Sequence, residues 1–374
     1  MYDHRFLDNM DEEAVLGGHW PGIQLYYPPV KYSPAQGIYE TMEQAADRMR
    51  KHAHNTNAHT LLFDLEDGCR QKEMSRELLR QELPRFDHAN RKFQIALRIN
   101  PFRTEEYDKD LDLIKDVADF IDVIILAKAG EVYGPAEIRD LSAWLVGVNK
   151  KITIQPIIEH PRSLKLAPEL MAFPTVKHVV FGIHDFSKAM AIQITPEGWI
   201  NELRTYLNIL LYEARIAGKG VIGGVEVLIN QTAMPEATIE PPDVRRWLDL
   251  HGDHESHVVY HHAVEEAQMG LTGKQVIHPK HIHLCKVAFT PSPMKIRRHV
   301  DILRAAIDAD ALLGGAIKFE GEMLDPPMFG KALQVLLRAY ALKALSEDDK
   351  RFALEVLRRW PVHVIRENWP YGVI

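Results

Sequence analysis

Short apolar runs alternate with longer amphipathic stretches along most of the chain. The runs predict eight strands, at 23–27, 61–66, 94–99, 123–127, 153–158, 178–182, 221–227 and 275–277. Between most of them apolar residues recur at helical spacing, which predicts helices over 39–52, 72–82, 108–118, 135–148 and 197–217. Strands that alternate with helices in this way run parallel, joined by crossovers. Eight such units point to a closed (β/α)8 barrel, the TIM barrel of the α/β class, more than to an open doubly wound sheet.

The rhythm breaks twice. Residues 232–260 are polar, rich in proline early and in histidine late, and too long for a simple connection. They read as an excursion before the last strand, helical around 242–250. After Pro291 the alternation stops, and helical patterns remain at 294–313, 329–345 and 348–360. The expected division is a barrel with an amino-terminal arm over 1–290 and a helical carboxy-terminal extension and lid over 291–374. The sequence carries no internal repeat and no low-complexity segment.

Composition narrows the class. With 46% hydrophobic and 26% charged residues, the 374-residue chain has ordinary globular proportions. A net charge of −7 argues against a nucleic-acid partner, which calls for a basic face. Two cysteines, Cys69 and Cys285, are too few for a disulfide framework. The first twenty residues are acidic and lack the apolar segment of a signal peptide. No stretch reaches the ~18 apolar residues of a membrane helix. The expectation is a cytoplasmic protein with no membrane partner.

Polar residues supply the chemistry, and they recur at one end of each strand. The second run leads through Glu66 and Asp67; the third ends Arg98-Ile99-Asn100. The fourth ends at Lys128, the fifth at Glu159, and the sixth at Gly182-Ile183-His184-Asp185. A parallel barrel turns all these ends to one face, where active sites of the fold sit. A lone carboxylate at a strand end is more often a helix cap, but five strands repeat the feature. Clustered carboxylates repel and call for a cation, and hard oxygen ligands select magnesium, manganese or calcium over zinc. Glu159 and Asp185 suit the ion itself, and Glu66 and Asp67 suit its hydrogen-bonded surroundings. Arg98 adds fixed positive charge that can stabilise an enolate oxygen.

The segments LLFDLEDG, ALRINP, QPIIEHPRSL, FGIHDFSKA, GKQVIHPKHI and FTPSPMKI follow one another in that order. As a set they resemble the HpcH/HpaI aldolase and citrate lyase β-subunit superfamily, which includes malyl-CoA and citramalyl-CoA lyases. The resemblance implies a magnesium-dependent TIM barrel that breaks or forms a carbon–carbon bond in a small 3-hydroxy acid or acyl thioester. Manganese is the substitute ion. It implies Glu159 and Asp185 as metal ligands, Arg98 as the contact to the substrate carbonyl, and Glu66 and Asp67 beside the metal. Lys128, His184 and Gly182 fall among the substrate-binding positions at the same mouth. Residues 320–327 resemble the family's lid, so Asp325 would be a catalytic group brought in from a neighbouring subunit of a homo-oligomer, a trimer or hexamer. The first strand is followed by Pro28-Pro29-Val30-Lys31, without the arginine that acyl-CoA-using members carry there, which leaves a coenzyme A thioester open.

Other features rank lower. His251, His254, His257, His261 and His262 invite a zinc reading, yet no cysteine accompanies them and a solvated face explains them as well. Gly223-Gly224 would let a phosphate approach, but outside any phosphate-binding motif. His278 suits fixing the end of strand eight. Against the lyase stand two alternatives: thioester hydrolysis on the same barrel, and a barrel that binds a metabolite without turnover.

Overall fold

The computed structural model describes residues 20–34, 37–149 and 151–360. The acidic amino-terminal stretch read above lies, but for Trp20, outside the described residues. The chain forms two compact units. Among the described residues one comprises 21–233 and 254–285; the other takes in 234–253 and 286–360, with Trp20. Residues 234–253 thus group with the carboxy-terminal helices although a barrel strand follows them in sequence.

The first unit is an eight-stranded parallel barrel. Its strands are β1 (Gly22–Tyr27), β2 (Thr60–Asp64), β3 (Gln94–Ile99), β4 (Val123–Leu126), β5 (Thr153–Ile158), β6 (His178–Phe181), β7 (Gly220–Gly223) and β8 (Gly273–Val276). Each pairs with the next, and β8 closes on β1 with Gln24 opposite Gln275. β2, β4, β5 and β6 are buried along their whole length. Covered on both faces, they read as largely apolar runs and not as alternating ones. Leu62, Ala96, Ile125, Ile157, Val180 and Ile222 pack together as one cluster of the core.

The helices, in chain order, are α1 (Met42–Asn55), α2 (Lys72–Glu82), α3 (Glu105–Val117), α4 (Ala136–Val148), α5 (Pro161–Lys165), α6 (Ala167–Met171), α7 (Ile183–Ala189) and α8 (Trp199–Ile216). There follow α9 (Pro241–His251), α10 (His254–Met269), α11 (Pro279–Phe289), α12 (Pro293–Asp308), α13 (Pro326–Ala341) and α14 (Glu347–Arg359). Local chemistry sets several starts. Thr41 caps α1 in a reciprocal box with Gln44, and Thr104, Ser292 and Ser346 cap α3, α12 and α14.

In the second unit α12, α13 and α14 share a core built on Leu303, Phe329, Leu333, Leu336, Val356 and Leu357, with Trp20 and Trp360 against it. α9 belongs here, with Val244, Trp247 and Leu248 buried. Its preceding Glu240 accepts the Met294 backbone N–H at 3.0 Å.

Three boundaries differ from the sequence reading. Strand seven ends at Gly223, not at 227. A Cβ on Gly224 would lie 2.7 Å from Ile183 Cγ2 and 3.1 Å from the Phe181 carbonyl, so the chain leaves the sheet by crossing close over the end of β6. Residues 183–185, read as the end of strand six, open α7. The histidine-rich stretch is helical, as the start of α10. Two small antiparallel pairs, Tyr32–Ser33 with Ile38–Tyr39 and Ile317–Phe319 with Glu322–Leu324, add to the predicted elements. Among the described residues no helix is long and apolar enough to cross a membrane.

Candidate active site

The carboxyl ends of the strands surround a cavity of about 350 Å³. Arg98, Glu159, Gly182, His184 and Asp185 line it, with Tyr26, Asp64, Gly224 and Gln275. Five of the residues predicted for the site therefore share one mouth.

Arg98 is held on three sides. Asp64 grips its edge through Nε and Nη2, both at 2.7 Å. Glu66 approaches Nη1 at 3.2 Å, and the Tyr26 ring lies under the guanidinium at 5.0 Å. Burial works against its charge, yet the surrounding anions hold the guanidinium firmly protonated. Gly68 makes this grip fit, since a Cβ there would collide with the Asp64 carboxylate. Asp64 was missed in the sequence. The signal was its alternation with Leu62, which sends both side chains to one face of β2.

Glu66, Asp67 and Lys128 form the next link. Lys128 Nζ donates to Glu66 at 2.7 Å and to Asp67 at 3.2 Å. Burial opposes its charge, but these two carboxylates raise the Lys128 ammonium. Burial likewise opposes the Asp67 carboxylate, and Lys128 pulls it down. Lys128 adopts φ +52, in the left-handed region, which is uncommon for a side-chain-bearing residue. In that conformation its backbone N–H reaches Glu159 Oε1 at 2.5 Å. Asn100, buried behind this link, donates to the Leu65 carbonyl at 2.9 Å and to Asp110 at 2.7 Å, fixing the turn that presents Glu66.

Glu159 is only 6% exposed. Burial pushes its carboxyl up to about 8, and the charges of Asp185 and Glu66 push the same way. Such a group ionises readily only beside added positive charge. A Cβ at position 182 would collide with the Glu159 side chain, 2.6 Å from its Cβ and 3.0 Å from Oε2, so the glycine lets that carboxylate pack close. Two hard carboxylates on one cavity wall fit a magnesium ion, which usually takes one or two protein carboxylates. Among the described residues no three His, Cys, Asp or Glu side chains converge to hold a metal. His254 instead meets Glu197 at 3.3 Å, and His262 is buried against Glu226. His278 accepts the Lys280 N–H at 3.2 Å and so fixes the start of α11.

Asp325 lies in the second unit, exposed at the start of α13, and its side chain does not cap that helix.

Two polar systems inside the barrel wall escaped the sequence reading. Tyr26 Oη donates to Gln275 Oε1 at 3.0 Å, Gln275 Nε2 to Gln24 Oε1 at 3.0 Å, and Gln24 Nε2 to Gln155 Oε1 at 2.9 Å. Lys274, on the opposite face of β8, is fully buried between Glu226 at 2.9 Å and Glu266 at 2.6 Å. Its ammonium also bonds the Gly224 carbonyl at 3.0 Å, and Glu226 takes the Trp199 indole N–H at 3.2 Å. Gly223 leaves room for Glu266, whose carboxylate a Cβ would strike. That gives the glycine pair a packing role in place of the phosphate approach considered above.

The relatives of the chain, several of them named as carbon–carbon lyases, place it in that class of enzyme. The chain belongs to the HpcH/HpaI aldolase/citrate lyase family, whose sequence profile matches residues 42–235. It is 25% identical over 313 residues to an L-malyl-CoA/beta-methylmalyl-CoA lyase of Rhodobacter capsulatus, covering 82% of this chain and 92% of that one. It is 24% identical over 302 residues to a (3S)-malyl-CoA thioesterase of Cereibacter sphaeroides, covering 80% and 92%. The fold is shared with the protein CitE from Mycobacterium tuberculosis, solved in complex with magnesium, acetoacetate and coenzyme A. That likeness has a TM-score of 0.58 at 20% identity and covers 86% of this chain and 99% of the other.

Proposed function

We propose that the chain is a magnesium-dependent lyase that splits or forms a carbon–carbon bond in a small 3-hydroxy acid or its acyl thioester. One observation carries this reading: a buried carboxylate, Glu159, shares a cavity with Asp185 and with the clamped guanidinium of Arg98. Glu159 and Asp185 would hold the ion, with manganese as its substitute. When bound, the ion supplies Lewis-acid stabilisation to the oxygen of an enolate.

The chain's own residues do the rest. Of the five N–H donors of a guanidinium, Asp64 accepts two on Arg98 and Glu66 pairs with the charge at Nη1, so N–H donors remain for a substrate oxygen. Because Asp64 fixes the guanidinium plane, that charge is in place before the oxyanion develops. Glu66, Asp67 and Lys128 balance one another beside the ion site. Gly182 leaves room for the Glu159 side chain, and Gly182 and His184 line the cavity that would take the substrate. We assign protonation of the enolate carbon to Asp325, donated by a neighbouring subunit of a homo-oligomer, a trimer or hexamer. The relative named for malyl-CoA supports a coenzyme A thioester as the substrate form.

A second reading is thioester hydrolysis, which the relative named as a malyl-CoA thioesterase favours. Release of free thiol without a carbonyl fragment would select it.

The test is magnesium titration of Glu159→Ala and Asp185→Ala by calorimetry. Each is expected to weaken the ion by at least about tenfold to a hundredfold, as even outer partners of a metal do. Unchanged affinity in both variants overturns the assignment. In the wild type, affinity is expected to climb as the pH is raised through about 8, because the ion displaces the proton that burial keeps on Glu159.

A further inference from the structure

We propose that Tyr26 is a further substrate-contacting residue. Its hydroxyl turns from a donor into the barrel floor to a donor to a substrate oxygen, as the Gln275, Gln24 and Gln155 amides reverse together. This rests on the lyase reading of the same mouth.

Tyr26 and Gln275 both line the cavity, and the Tyr26 ring supports Arg98 at 5.0 Å. A substrate oxygen drawn to Arg98 therefore arrives beside the phenol. As arranged, the phenol spends its one proton on Gln275, and the donors run on from Gln275 to Gln24 and from Gln24 to Gln155. The phenol then offers an incoming oxygen only lone pairs, which repel it.

Glutamine makes the opposite arrangement available. A half-turn about the terminal torsion exchanges the amide oxygen and nitrogen. With all three amides turned, Gln155 donates to Gln24, Gln24 to Gln275, and Gln275 to Tyr26 Oη. The same three contacts survive with their direction reversed, and the phenolic O–H is released toward the cavity. No covalent bond breaks and no proton changes owner; only hydrogen-bond direction changes.

The composition of the barrel interior supports a purpose for these residues. Leu62, Ala96 and Ile125 pack the core with no polar atom to satisfy. Gln24, Gln155 and Gln275 are buried too, and burying amides is costly unless each finds a partner. A continuous chain that ends on a cavity-lining hydroxyl gives that burial a function which apolar residues could not supply.

Two nearly isosteric substitutions remove the same Tyr–Gln bond and separate this role from simple support. Pyruvate, in the presence of magnesium, is titrated into the wild type, Tyr26→Phe and Gln275→Met, with thermal midpoints recorded for each. Tyr26→Phe is expected to bind pyruvate about tenfold more weakly, the effect of losing a hydrogen bond to a charged group. Gln275→Met is expected to bind as well as the wild type or better, because the hydroxyl loses its inward acceptor. Equal weakening in both variants, or no weakening in Tyr26→Phe, overturns the inference and leaves the lyase reading standing. If Gln275→Met does not fold, the Tyr26→Phe affinity decides alone. A wild type that binds no pyruvate with magnesium overturns the lyase reading, and the inference with it.

Discussion

Arg98→Lys is expected to lower turnover by about 10²–10³-fold, the loss typical of one displaced oxyanion partner, while magnesium affinity stays nearly constant. Lysine keeps the positive charge. It cannot reproduce the planar fork that Asp64 grips through two bonds at 2.7 Å, nor lie flat on the Tyr26 ring. Its ammonium would wander between Asp64 and Glu66, and the charge facing the substrate would no longer be fixed. Steady-state carbon–carbon cleavage with parallel magnesium titration separates the two effects. A kcat within about tenfold of wild type would mean that charge alone suffices and that preorganisation is not what Arg98 supplies.

Lys274→Met is expected to destabilise the fold by about 3–5 kcal/mol at neutral pH, the cost of removing one partner from a buried ion pair. In the wild type Lys274 answers two carboxylates. Burial raises the Glu226 carboxyl, but Lys274 and His262 together outweigh it and bring the group down to about 2; burial dominates at Glu266 and leaves it at about 7. Glu226 thus adds stability at pH values above the ordinary carboxylate range and loses it as pH falls toward 2. Without Lys274, Glu266 would titrate further above its unfolded value, and Glu226 would lose the largest influence that lowers it and keep only His262 as a cationic partner. The folded variant would then bind more protons than the unfolded chain, so its stability would rise as pH is lowered from neutral. Urea unfolding at several pH values checks this. A gap from wild type that does not narrow toward acid would show that lost packing, not stranded charge, is the cause.

The sequence disclosed the barrel because its parallel strands are buried on both faces and read as largely apolar runs. It disclosed most of the mouth for a related reason: charged residues that end apolar strands stand out. It concealed what sits inside those strands. Gln24, Tyr26 and Gln275 are polar residues within short strands, and one amide at a time carries no signal until the register of β1 and β8 brings them together. Asp64 was hidden because it precedes the conspicuous Glu66 and Asp67. α10 escaped because its buried stripe reads Ser256, Val259, His262, Ala263 and Glu266. Two of those polar groups answer Glu226 and Lys274, so the helix's inward face looks like a solvent face. Strand seven was drawn too long because Val225 and Glu226 continue its texture, whereas Lys274 pulls the carbonyl of Gly224 and the carboxylate of Glu226 out of the sheet direction.

The two units are interleaved along the polypeptide. The stretch 234–253 leaves the barrel's share of the chain before β8 has been reached, and the remainder of its unit starts only at 286. No single cut can free either one. Shortening the chain after α11 would leave 234–253, α9 included, without the rest of its unit. During synthesis, the last barrel strand emerges after one fragment of the other unit and ahead of all its remaining helices. That fragment must wait for the rest of its unit until roughly a hundred more residues have followed, at the ribosomal pace of about 5–20 residues per second.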